Sequence, residues 1–361
     1  MRKYLYLIPI TTVMITASIG GAGVSAKKTP NQNPIPVSLP ILPIGQITFQ
    51  NILEHIDDIS LAAYTAVQTV ESTNTQPKVR TTIAVGPHTV PSVTDVRAAF
   101  KKTMKLWAGF RQPRTYYALL YSFEDKTWAR KTAAKIPVVK STGGINGPTN
   151  MPALINQCTT PTQCSSANSG ISDAAGNGLG QFAMDPIHNA QDPFFQLGGI
   201  YGHEYTHSVQ GAQFLGTQDV PNPSMVLPCW FHEGQPNFDG TAAVAPDFAS
   251  YMTWRVHMPK GWPIQTFTDY SAASLLKVLK TGYPPKCLPP APIYALGYGI
   301  GALVIEALTA IGGPQSTMAV VTLMGRGQTY AKAFKNVYGI SWTKAAPILA
   351  QVAAIEYAAT P

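Results

Sequence analysis

The chain has 361 residues, 45% of them apolar and only 12% charged, which excludes a disordered polymer and supplies core for one large domain or two smaller ones. The formal charge is +8, yet no basic run exceeds two residues, so there is no nucleic-acid patch. Charge implies at most a weak association with acidic cell-surface polymers.

Arg2 and Lys3, the apolar run from Tyr4 to Ile19 and the small-x-small triplet Val24-Ser25-Ala26 predict a secretory signal over 1–26, cut after Ala26. Its apolar run is short for a span, so no stable membrane segment is expected after cleavage. Five prolines over 27–45 read as a linker. An N-terminal α/β lobe is expected over 46–190. Ile52, Ile56, Ile59, Ala63 and Val67 predict a helix over 49–70, and β-branched residues predict a strand over 79–85. A helix over 95–110, a strand over 116–123 and a short helix over 125–134 follow. Residues 141–179, rich in Gly, Asn, Ser, Thr and Pro, read as one long loop. The next stretch, 180–184, reads as a short strand, either an edge that pairs with an extended substrate or an ordinary core strand.

Export makes the four cysteines interpretable. Of three connectivities, Cys158 with Cys164 and Cys229 with Cys287 is preferred, because the first pair closes a short local loop.

Residues 191–361 are expected to hold one special helix and a mostly helical remainder. The special helix begins near Asp192-Pro193, a cap followed by proline, and ends near Gly216. It carries His203-Glu204-Tyr205-Thr206-His207. Positions four apart on a helix differ by about 40° in azimuth, so both imidazoles project from one face and can share a Zn²⁺. Glu204 flanks that face as a general base for a metal-activated water. Its several glycines weaken the helix by up to about 1 kcal/mol each, so they imply close packing against neighbouring backbone. A catalytic zinc needs a third protein ligand. A metzincin would place further ligands just downstream, but 210 and 213 are both Gln. Glu233, within Trp230-Phe-His-Glu-Gly234, is the better candidate, with His232 and Asp239 as competing donors.

His-Glu-x-x-His followed by Trp-x-x-Glu-Gly resembles the gluzincin superfamily of zinc metallopeptidases, which includes thermolysin-like and aminopeptidase-N-like enzymes. The resemblance implies His203, His207 and Glu233 as zinc ligands and Glu204 as general base. It places Asn237 where such families carry a residue that orients a histidine. The stretch Tyr298-Gly-Ile-Gly301-Ala302 is similar to the segment whose tyrosine hydrogen-bonds the tetrahedral intermediate, with Tyr294 as a close competitor. No Gly-x-Met-Glu-Asn motif precedes the helix, where 180–185 reads Gly-Gln-Phe-Ala-Met-Asp, so aminopeptidase specificity is not implied. The implied fold is α+β, a small mixed sheet in the N-terminal lobe and a helical C-terminal lobe. The implied function is secreted, zinc-dependent hydrolysis of a peptide or protein substrate. The alternative is an exported surface or binding protein whose zinc site is vestigial or structural.

Overall fold

A small sheet and a thick helical layer share the described residues of this computed structural model, which are 45–137, 139, 155–156, 158–217, 222–260, 267–281 and 295–361. The expected signal, the linker up to residue 44, Tyr294 and Cys287 lie outside them. The fold is mixed α+β, as expected.

Helix α1 (Ile59–Thr73) buries Ile59, Ala63, Tyr64, Ala66 and Val67 along one face. It starts ten residues later than the apolar spacing suggests. The Asn51 carboxamide oxygen accepts from the Thr48 amide at 2.7 Å and from its hydroxyl at 2.9 Å, a local turn that competes with helix. Strand β1 (Arg80–Val85), helix α2 (Val96–Leu106), strand β2 (Thr115–Tyr121) and helix α3 (Lys126–Ala133) follow in the expected order. Asp95 caps α2 by accepting from the Ala98 amide at 2.9 Å.

The expected loop over 141–179 is overturned in its second half. Strand β3 (Ser166–Ile171) and the first residues of strand β4 (Asn177–Ala183) lie there. The turn between them is built by Asp173, which accepts from the Asn177 amide at 2.9 Å and its carboxamide at 2.7 Å, with Gly176 at φ +82°. Composition hides β3 because Ser-Ala-Asn-Ser-Gly-Ile has little strand propensity. Pairing with β4 and packing of Ser169 override it.

Sheet order is β1-β2-β4-β3, with β1, β2 and β4 parallel and β3 antiparallel to β4. β4 therefore has neighbours on both sides and is no edge strand; β3 holds that position. Alternation along the strands divides two cores. Tyr116, Ala118, Leu120 and Phe182 join the main cluster, where Phe100 meets Tyr116, Phe182 and Tyr201 at centroid distances of 5.2, 6.0 and 5.6 Å. Leu119, Tyr121, Leu179 and Ala183 pack instead with Ala129 and Ala133 of α3 and with the Cys158–Cys164 disulfide. That is the expected pair. Cys229 is also disulfide-bonded.

The special helix differs from expectation at its start. Helix α4 (Pro186–Gln191) is followed by a short α5 (Pro193–Gln196), capped by Asp192 as expected. The chain then breaks at Gly198, which adopts φ +78°, and α6 runs over Gly199–Gln213. All 15 residues of α6 are buried, an unusual state for a helix that carries two histidines and a glutamate.

Beyond it, α7 (Cys229–Gln235) passes through a π-helical turn (Pro236–Gly240) into α8 (Thr241–Val244). Then come α9 (Phe248–Arg255), α10 (Ala272–Thr281), a second π-helical turn (Gly297–Gly301), α11 (Ala302–Gly312), α12 (Pro314–Gly325), α13 (Tyr330–Tyr338) and α14 (Trp342–Ala359). Among the described residues no single helix is long and apolar enough to cross a membrane.

Candidate metal centre

Glycine sets the spacing of the site. A Cβ added to Gly202 of α6 would fall inside the Gly240 carbonyl, and one added to Gly234 of α7 would fall inside the Gly301 backbone. Backbone contact at these two places brings α6, the turn after α7 and the turn before α11 together. The glycines that weaken α6 as an isolated helix are thus the ones that let it pack, as expected.

Within that junction His203, His207 and Glu233 converge, all buried. The two Nε2 atoms are 3.1 Å apart, and Glu233 Oε2 lies 3.5 Å from His203 Nε2 and 3.3 Å from His207 Nε2. Ligand atoms about 2.0–2.1 Å from a tetrahedral metal sit roughly 3.3 Å from one another, so this triangle has the dimensions of a coordination face. The chemistry fits too. Glu233 Oε2 is buried with no hydrogen-bond partner, and the two imidazole Nε2 atoms, 3.1 Å apart, both turn lone pairs inward when each ring carries its proton on Nδ1. A buried, unsatisfied carboxylate oxygen is costly without a cation.

Side chains around the triangle fix its members. His232 stands outside the group that could hold a metal ion: its Nδ1 lies 2.9 Å from Glu233 Oε1, leaving Oε2 facing His203 and His207, while its ring packs on His207 at 4.5 Å. His207 Nδ1 lies 3.0 Å from Gln210 Oε1. The Gln210 carboxamide nitrogen donates to the His232 carbonyl at 3.2 Å and to Gln235 Oε1 at 2.9 Å, and Gln235 donates to Thr317 Oγ1 at 2.8 Å. Asp239, the other competing donor, is buried away from the triangle, where Thr317 Oγ1 contacts it at 3.2 Å. Asn237 does not orient a histidine; its carboxamide donates to the Tyr298 carbonyl at 2.6 Å. The Tyr298 ring stacks on His203 at 5.7 Å and 9° between planes, so the turn over Gly297–Gly301 delivers it to the site.

Burial and mutual charge shape the protonation states. Burial holds His203 down to about 4, so its ring is neutral at ordinary pH. Burial would also lower His207, but the Glu233 carboxylate outweighs it and raises the group. For Glu233, burial acts upward and is overcome by His207 and His232, which hold it well below the usual range. Burial pushes Glu204 up to about 8, with Glu233 adding to the rise and His207 opposing it. Glu204 Oε2 is buried without a hydrogen-bond partner.

The sequence reading missed Gln210, Gln235 and the role of His232. Gln210 had a signal: it lies three residues after His207 and so shares its helix face. Gln235 and Thr317 had none, because they meet only in the tertiary structure. No family model, no curated protein and no solved structure matches the chain.

Proposed function

We propose that the chain is a secreted zinc-dependent metallopeptidase of gluzincin type. The observation that carries this reading is the face of three ligand atoms from His203, His207 and Glu233, with a buried carboxylate, Glu204, next to it in sequence. A zinc ion held there supplies a Lewis acid and lowers the pKa of water to roughly 7.

The protein's own residues do the rest. Glu204 takes the proton of the attacking water and passes it to the leaving amine. Burial pushes that carboxyl up to about 8, and the charge of a cation held beside it would draw it back toward the ionised form that accepts a proton. Tyr298, stacked on His203, donates to the developing oxyanion. His232 holds Glu233 in place through Oε1. Secretion is supported by the Cys158–Cys164 disulfide, which suits an oxidising compartment.

One observation favours a second reading, an exported binding protein with a structural metal. His203 and Glu233 are each only 3% exposed and Glu204 5%, tight for a group that must meet a peptide. Metal analysis by mass spectrometry on wild type, Glu204→Gln and Glu233→Ala, followed by a peptide-library digest, separates the two. The enzyme reading expects about one zinc in wild type and Glu204→Gln, loss in Glu233→Ala, and cleavage by wild type alone. Zinc without cleavage of any peptide favours the structural site. No metal in folded wild type offered zinc sinks the enzyme reading and the structural metal, and leaves an exported binding protein with a vestigial site.

A further inference from the structure

We infer that Gln210 is a positioning residue that fixes the tautomer of His207, and that Gln210 is itself held in one orientation by the His232 carbonyl and a Gln235–Thr317 relay. The inference rests on the metal-site reading above and extends it from the ligands to what orients them.

The orientation of a carboxamide is usually ambiguous, because its oxygen and nitrogen exchange places by a flip. Here it is not. The His232 carbonyl, 3.2 Å from one end of Gln210, can only accept, so the group facing it must be the NH₂. That leaves Oε1 toward His207 Nδ1 at 3.0 Å. An oxygen there requires the proton on Nδ1, and a neutral His207 then presents an unprotonated Nε2 to Glu233 and His203. The second Gln210 proton goes to Gln235 Oε1, which turns the Gln235 NH₂ toward Thr317 Oγ1. Donor follows acceptor in one direction from the imidazole to a hydroxyl on α12. Gln210, Gln235 and Thr317 are each 0% exposed, so water does not compete for these bonds. A flip of either amide would place two donors or two acceptors face to face.

The relay also accounts for a buried glutamine on a wholly buried helix. A leucine at 210 would satisfy packing alone, and two backbone or side-chain oxygens, those of His232 and Gln235, would lose their donor.

The test uses the full secreted chain as wild type, Gln210→Leu, Thr317→Val and the double variant. Folding is checked by circular dichroism and thermal melting, and zinc affinity is read by competition with a chromophoric chelator. Thr317→Val is close to isosteric and leaves the site itself untouched, so it remains informative if Gln210→Leu fails to fold. Loss of an outer-shell partner of a metal-bound histidine typically weakens metal binding about 10–100-fold, the effect expected for Gln210→Leu. Thr317→Val should weaken it by a smaller factor, and by nothing further when added to Gln210→Leu. Long-range ¹H–¹⁵N spectra of the zinc-loaded wild type should show His207 protonated at Nδ1, with that proton exchanging faster in both single variants. Equal zinc affinity across wild type and the folded single variants overturns the inference and leaves the metal site standing. So does a Thr317→Val loss that is the same with and without Gln210, or a zinc-loaded wild type whose His207 carries its proton elsewhere. A wild type that binds no zinc overturns the metal-site reading and this one with it.

Discussion

Two buried polar clusters sit in the helical layer, and they are built on opposite logic. In the first, Arg255 of α9 donates through Nε to Glu306 Oε2 at 3.1 Å and through a terminal nitrogen to the same oxygen at 2.8 Å, while the Tyr251 hydroxyl donates to Glu306 Oε1 at 2.5 Å. Arg255 also bonds Glu356 of α14. Cationic and hydroxyl donors meet carboxylate acceptors. Burial raises the Glu356 carboxyl, with Arg255 opposing, and Glu306 and its neighbours hold Arg255 charged against burial. The second cluster lacks such matched donors: the His203 and His207 Nε2 atoms lie 3.1 Å apart, where either donates only as its tautomer allows, and Glu233 Oε2 beside them has no hydrogen-bond partner. The closed cluster joins α9, α11 and α14 and needs nothing from outside. The open one has the form of a site completed by a cation. Burial and charge alone do not separate structure from function; the match of donors to acceptors does.

That contrast can be broken at several points. The largest effect is expected from Arg255→Ala, which strands Glu306 and Glu356. Removing one partner of a buried ion pair costs about 3–5 kcal/mol, readable as a lowered denaturant midpoint, and zinc should not restore it. A loss under about 1 kcal/mol would show that the closed cluster is not what binds these helices.

Next is zinc itself. A ligand that binds only the folded state stabilises it by about 2.7 kcal/mol at one hundred times its Kd. Wild type should therefore melt higher with added zinc and return to its baseline with chelator. Glu233→Ala should ignore both.

Gly202→Ala comes third. Its methyl meets the Gly240 carbonyl, so α6 must shift from the turn over Pro236–Gly240. Overpacking of this kind costs about 1–3 kcal/mol, and zinc affinity should fall with stability, because the shift also separates His203 from Glu233. Unchanged affinity in a destabilised variant would show that the junction does not set the ligand distances.

The smallest effect is a pH dependence away from both clusters. Burial acts upward on Asp125, but hydrogen bonds from Thr89 at 2.6 Å and from His88, together with the His88 charge, hold it below the usual range. A carboxyl depressed in the folded state contributes stability that is complete above its unfolded pKa of about 3.9 and is lost as pH falls through the folded value. Acid unfolding curves of Asp125→Asn should therefore be flatter than wild type below about pH 4 and parallel above it.

Much of the fold was legible because it follows from local periodicity. The apolar stripe of α1 and the β-branched run of β1 are short-range signals and lie within the spans their spacing predicts, although α1 starts ten residues late. β3 was not legible, since its polar, small residues become a strand only through β4 and the contact of Ser169 Oγ with Ser208 Oγ at 2.8 Å. The split at Gly198 was missed for a related reason: a glycine within a helical pattern reads as a weak point, and only the packing shows that it is a turn.

The candidate site divides the same way. His203, Glu204 and His207 were readable because four-residue spacing on a helix is a geometric fact of the chain itself. Glu233 was readable as the best third donor, though its distance to the pair was not. By itself the sequence determined the candidate ligand types, their order and the helical face that holds two of them. The tertiary structure alone decided that Glu233 rather than His232 or Asp239 closes the triangle, that Asn237 serves the Tyr298 carbonyl, and that Gln210 faces His207. Each of those choices depends on backbone contacts such as Gly202 with Gly240, or on hydrogen-bond partners from segments distant in sequence such as Thr317. Spacing along a chain encodes direction within one element, and only packing encodes distance between two.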